Sequence, residues 1–425
     1  MTSPAPLAGD AERAPGPNTA TATRSLPASS SNLSRALALF ALALGSFCIG
    51  TSEFASMGII QLFSASLGID VPQATNAVTA YALGVVVGAP VVTLAAARLN
   101  RRTLLLALMA LFVAGNVLSA VASNLPLLMA ARFISGLPQG AYFGAGAMVA
   151  SYLMGPGQSG KAFAIVMTGL TVATIIGSPL ATFLGQHLGW RETYLAVAAL
   201  SALALLAIRQ WLPRSAALNG VPIRQELSAL REGPVWGVMA VATAGIASLF
   251  AIYTFVGPIV TDAARLAPSM IPVALAIFGI GMTLGNTLGG RLADRYPMRG
   301  IVLGFGAALA MLVIIAKGGQ TPWLLFPALF ALGAGLMASI PTLQVRLTTL
   351  APAAPSLMGA MTLAACNLGN AIGAWAGGVT IDAGYGLLSV GWAGFALTLT
   401  GLAFFGLTLI NQRRPALVAG VAPSA

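Results

Sequence analysis

Residues 74–96 read ATNAVTAYALGVVVGAPVVTLAA and run straight into Arg98-Leu99-Asn100-Arg101-Arg102. The first stretch carries no charge and is long enough to cross a hydrocarbon core of ~30 Å as a helix. Its apolar residues are continuous and do not alternate, which excludes a barrel strand. The arginines behind it mark the return to water. Outward from this pair, the same alternation fills the chain. Apolar runs span 36–63, 74–96, 103–123, 126–153, 160–186 and 193–211, and again 234–261, 270–292, 300–317, 321–345, 356–381 and 386–410.

Composition agrees. Charged residues are 7% of the 425 and apolar residues 57%, against roughly 25% charged in an ordinary soluble domain. The expected fold class is an all-α membrane protein, with twelve transmembrane helices in two six-helix pseudo-symmetric bundles. The expected organisation is a disordered tail over 1–34, bundles at 35–211 and 234–411, a polar linker at 212–233 and a tail at 412–425. The first ~34 residues lack the apolar core of a signal peptide, so the first span is expected to stay as a helix.

The net charge of +11 invites a nucleic-acid reading, but the position of the charges opposes it. Of the 21 Lys and Arg, seventeen fall on the side shared by both termini and only Arg191, Arg265 and Lys317 on the other, with Arg132 heading a span. By the positive-inside rule both termini are cytoplasmic, which fits an inner (plasma) membrane protein whose surroundings are the lipid bilayer. Nucleic acid is not an expected partner. Cys48 and Cys366 lie far apart in apolar runs, so no disulfide framework is implied. His187 is the single histidine, which leaves no histidine-based metal site.

The halves repeat one another. Arg98-Leu99-Asn100-Arg101-Arg102 after span 2 answers Gly290-Arg291-Leu292-Ala293-Asp294-Arg295 after span 8. A repeat of six spans is a transporter plan with a substrate site at the interface near the midplane. Enzymatic chemistry lacks its residues: there is no His-Glu-x-x-His and no Gly-x-Ser-x-Gly. No phosphate-binding Gly-x-x-x-x-Gly-Lys-Ser/Thr loop supports a nucleotide-driven pump.

Glu53 is the most informative residue. It lies about 18 residues, or ~27 Å of helix, beyond Arg35. A carboxylate at that depth faces a cavity, finds a partner or takes up a proton; the plainer reading is an outer-end residue that reaches water. Arg132 shares a stripe with Gly136, Gly140 and Phe143, whose small members let a neighbouring helix approach. It is placed either to bond a carboxylate or backbone carbonyls and modulate Glu53, or to snorkel to the interface. Tyr81, Tyr142, Phe143, Tyr253 and Phe255 are candidates for an aromatic substrate cavity, with Asn286, Asn367 and Asn370 as polar members. Packing is the plainer reading of any one of the aromatic residues, and interhelical hydrogen bonding accounts equally well for the asparagines.

At these residues the chain resembles the major facilitator superfamily, in the twelve-spanner drug:proton antiporter branch with sugar-efflux and chloramphenicol-efflux-like proteins. The resemblance covers about 36–411. It rests on Gly50-Thr51-Ser52-Glu53-Phe54 with Met57-Gly58, on Ala131-Arg132-Phe133 with Gly136 and Gly140, and on Gly177-Ser178-Pro179 followed by Gly189-Trp190-Arg191. Tyr253-Thr254-Phe255-Val256-Gly257-Pro258 completes it. The resemblance implies a proton relay at Glu53 and Arg132, a gate clamp at Asp294, Arg295 and Arg299, and a bending segment at Gly177 and Pro179. Two departures stand out. Asn100 occupies the place of the usual loop acid, and Gly-Ser-Pro replaces the usual Gly-Pro.

The expectation is therefore a secondary active transporter that exports small, largely apolar compounds, drug-like or sugar-like, by alternating access. A proton and a small-molecule substrate are the partners, the proton gradient supplies the energy, no cofactor is needed, and the working unit is a monomer. Uptake or facilitated passage of a sugar or metabolite is the alternative, and a membrane sensor without transport is the reading from another class.

Overall fold

The computed structural model describes residues 32–96, 98–155, 159–219, 232–295, 297–351 and 355–418. Most of the expected N-terminal tail, the linker core and the end of the C-terminal tail lie outside the described residues. Helix is the only regular structure among those described.

Among the described residues, eleven helices are long and apolar enough to cross a membrane. The expected span 4 is divided into Leu125–Gly136 and Gln139–Met154. Pro138 causes the division, because it has no N–H to donate and its ring crowds the turn before it. The backbone at Leu137 and Pro138 stays right-handed helical, so the two pieces form one kinked span. Span 1 bends likewise at Ile59, between Asn32–Gly58 and Ile60–Leu67.

The other spans follow the apolar runs. Spans 2 and 3 are Val71–Ala95 and Arg101–Ala120. Span 5 runs Ser159–Val172, then a π segment Ala173–Gly177, then Ser178–Leu188, with span 6 at Trp190–Trp211. The π segment sits just before Pro179, whose missing N–H leaves a carbonyl one turn back without its usual partner. In the second half, span 7 is Gly233–Tyr253, span 8 Met270–Arg295, span 9 Pro297–Gly318, span 10 Pro322–Leu350, span 11 Pro355–Thr380 and span 12 Ser389–Val418. Polar caps set several starts. Asp70 accepts from Gln73 N at 2.7 Å, Asn100 from Arg102 N at 3.1 Å and Asn124 from Leu127 N at 3.0 Å, each satisfying a backbone donor that the helix leaves open.

Close seams join equivalent spans in each half. Gly84 and Gly88 of span 2 abut the backbone of Phe133 and Leu137 in span 4. Gly281, Gly285 and Gly289 of span 8 abut Phe330, Ala334 and Ala338 in span 10. Any Cβ at these glycines would meet a carbonyl, so the four-residue spacing is a packing requirement. Gly369 and Gly373 of span 11 lie on span 7 in the same way.

The halves meet where span 2 packs on span 11 and span 5 on span 8. At the end that carries the 1–2, 5–6 and 7–8 connections, Gln61 donates to Thr261 Oγ1 at 2.9 Å and Gln186 to Pro268 O at 2.7 Å. Midway, Gly279 of span 8 lies against the Thr174 carbonyl. Two turns further along the same face, Asn286 is exposed. Spans 5 and 8 thus part toward the end that carries the described chain ends.

Candidate functional site

Ser52 and Glu53 are neighbours on span 1 and point about 100° apart on a helix. Ser52 turns into the first half, and Glu53 toward the seam between halves. Both are buried. A carboxylate here needs partners, because hydrocarbon offers none.

Glu53 Oε2 accepts from Gln139 Nε2 at 2.9 Å, and Gln139 Oε1 in turn accepts from the Tyr81 hydroxyl at 2.7 Å. Arg132 is fully buried, so it does not snorkel. Its Nη1 donates to Ser52 Oγ and its Nη2 to Ser52 O, both at 2.9 Å. The guanidinium is sandwiched between the Tyr81 ring, 4.4 Å from the centroid, and the Tyr194 ring at 5.1 Å. Each such contact is worth up to about 2 kcal/mol away from water. Ser52 Oγ in turn donates to Asn116 Oδ1 at 2.7 Å, and Ser56 bonds the Tyr194 hydroxyl at 3.0 Å.

Arg132 is therefore near Glu53 but engaged elsewhere, on a serine hydroxyl and a backbone carbonyl. Tyr81 connects them: one ring face carries the guanidinium, and its hydroxyl feeds the amide that holds the carboxylate. Arg132 and Gln139 stand seven residues apart across the Pro138 kink, two turns along one face.

The second half closes over this cluster. Tyr253, Cys366 and Asn370 lie within electrostatic reach of Glu53. Phe54 stacks on Phe250 at 6.3 Å and meets Tyr253 edge-on at 5.5 Å, across the seam. The Tyr253 hydroxyl lies 3.4 Å from Ser178 Oγ of span 5, the serine that departs from the family pattern.

The remaining candidates are spread out. Tyr142 donates to Leu42 O at 3.0 Å and, with Phe143, belongs to the apolar core of the first half. Phe255 packs on Gly377. Asn367 is buried and donates to Leu363 O at 3.2 Å, whereas Asn286 of span 8 is exposed. Gly177 abuts Thr51 of span 1, and Pro179 closes the π segment. Arg299 is exposed near the start of span 9. The side chains of Asp294 and Arg295 lie outside the described residues. Among the described residues no group of three His, Cys, Asp or Glu could hold a metal ion.

Sequence reading missed Gln139, Asn116 and Tyr194. A signal for Gln139 existed in its two-turn offset from Arg132, and for Asn116 in its being an amide inside an apolar run. Tyr194 had none beyond its position in span 6.

The fold thus brings two six-span halves together over a buried, hydrogen-bonded carboxylate. The family model of the Major Facilitator Superfamily matches residues 42–374, and the chain belongs to that superfamily. It is similar to the inner membrane transport protein YdhP of Escherichia coli strain K12, with 36% identity over 89% of this chain and 97% of that one. The chloramphenicol resistance protein of Streptomyces lividans is 33% identical over 89% of this chain and 98% of its own length. A probable sugar efflux transporter of Helicobacter acinonychis is 26% identical over 88% and 95%. Among solved structures, a bacterial homologue of the human lysosomal transporter Spinster shares the fold, with a TM-score of 0.68, 16% identity and coverage of 89% and 97%. The protein is thus a multi-pass membrane transporter with relatives in the bacterial inner membrane.

Proposed function

We propose that the protein exports small, largely apolar compounds in exchange for protons, with Glu53 as the proton site. The observation that carries this reading is the environment of Glu53. It is a buried carboxylate at the seam of the two halves, held by the uncharged amide of Gln139 and without Arg132 bound to it. An amide donor fits a carboxylate in either protonation state, so the site can load and release a proton without breaking an ion pair. Alternating access then exposes Glu53 to each side in turn.

Residues 35–211 and 234–411 are the two bodies that rock in this reading. Both termini face the cytoplasm, where the excess of Lys and Arg lies, and one chain is the working unit. Export is favoured by the sparse charge in the spans and by the likeness to a chloramphenicol resistance protein and to a probable sugar efflux transporter. Chloramphenicol is therefore the first substrate to test.

The test is proton movement driven by substrate. In inverted vesicles holding an acid interior, adding chloramphenicol should release luminal protons, read by a pH-sensitive dye. Transport of the compound with no proton signal would replace this reading with facilitated passage.

A further inference from the structure

Span 11 carries two buried amides whose hydrogen-bonding capacity the protein leaves unused. Asn367 is 3% exposed and Asn370 1% exposed. They are three residues apart, so they share a helix face. Asn367 turns its Nδ2 back to Leu363 O, leaving its Oδ1 without a partner. Asn370 has no such local bond. Both its Nδ2 and its Oδ1 lack partners, and the side chain stands beside the Glu53 carboxylate without closing a well-formed hydrogen bond to it.

This is a costly arrangement. Buried amides normally find partners, and each orphaned group calls for an explanation. The deficit comprises one donor and two acceptors, all uncharged. Unpartnered threonine hydroxyls nearby, such as Thr254, can rotate onto their own helix carbonyls, so they make no comparable demand.

We infer that Asn370 and Asn367 form the polar end of the substrate site, and that the preferred ligand is a neutral molecule with a hydrogen-bond donor and acceptor side by side. A secondary amide meets this description, and so does a vicinal diol. The ligand carbonyl accepts from Asn370 Nδ2 while its N–H or O–H donates to an asparagine Oδ1. A cationic lipophile without donors or acceptors leaves the same atoms unpaired. In the conformation described the two amides are covered, so the ligand reaches them when the halves part. This assignment rests on the transporter reading and places the substrate next to its proton site, so that the two compete for one pocket.

The experiment is equilibrium binding to the purified full-length protein in detergent, with no gradient present. The probes are chloramphenicol, which has a secondary amide and two hydroxyls, its analogue with ester oxygen in place of the amide N–H, and tetraphenylphosphonium. Native protein should bind the ester at least about tenfold more weakly than the amide, because a site built to bond an N–H rejects the isostere that lacks it. Asn370→Leu should lower the ratio of chloramphenicol to tetraphenylphosphonium affinity by a similar factor. Equal binding of amide and ester by native protein would overturn the assignment and give the amides to trapped water, and it needs no variant to fold. Native protein that binds tetraphenylphosphonium but not chloramphenicol, or neither probe, would overturn it as well. Binding is measured without protons moving, so loss of the proton-exchange reading would leave these results standing, and the reverse also holds.

Discussion

At the scale of single residues, of the partners the sequence left open for Arg132, a carboxylate or backbone carbonyls, the fold supplies a serine hydroxyl and a backbone carbonyl. Arg132 bonds Ser52 through Nη1 and Nη2 and lies between two tyrosine rings, with its buried Nε unpartnered, while Glu53 accepts from Gln139. Ser52→Ala removes the acceptor for one guanidinium N–H and should destabilise the folded protein by ~1–3 kcal/mol, read as a lowered Tm of the purified variant. Arg132→Lys should lose export although it keeps the charge, since an ammonium cannot bond hydroxyl and carbonyl in one plane and stack between rings. Full export by this variant would reduce Arg132 to a bare charge. The depth of Glu53 was legible because a carboxylate interrupts an apolar run. Its partner was not: Gln139 is a single amide beyond a proline, and only the fold brings it to span 1. The aromatic candidates divided for a similar reason. Tyr81 and Tyr253 face the cluster, whereas Tyr142 meets Leu42 O, and composition cannot tell a ring that faces a cavity from one that fills a core.

At the scale of elements, glycine seams and prolines set the geometry. The spans could be read because their apolar runs exceed the thickness of the hydrocarbon core. The breaks inside them are less visible. Pro138 kinks span 4 while Pro327 and Pro341 lie inside span 10, which stays one helix from Pro322 to Leu350, so a proline alone does not specify a division. Span 8 offers a controlled comparison. A side chain at Gly285 would meet the Ala334 backbone, whereas Gly290 has nothing within 4 Å. Gly285→Leu should therefore lower Tm and the yield of monodisperse protein, at a cost of ~1–3 kcal/mol or more for overpacking, while Gly290→Leu should behave as native. Equal behaviour of the two variants would contradict the seam.

At the scale of the molecule, the contacts between halves are uneven. Gln61–Thr261 and Gln186–Pro268 close one end, while spans 5 and 8 part beyond Gly279 at the other. Alternating access requires that these neutral bonds break in the opposite state. In a background with Cys48 and Cys366 replaced, the double variant Gln61→Leu, Gln186→Leu should speed labelling of Ser178→Cys by a thiol reagent added on the side of those bonds. An unchanged rate would mean that they do not hold the halves together. The repeat of the two loops made the two-half plan readable, but which end is closed depends on contacts between residues some 80 to 200 positions apart. The central claim is that Glu53 carries the proton that drives export. Its most direct test compares dye and chloramphenicol efflux from energised vesicles, native against Glu53→Gln, with and without an uncoupler. Native efflux should be abolished by the uncoupler and absent in Glu53→Gln. Gradient-driven efflux at the native rate in Glu53→Gln would contradict the claim.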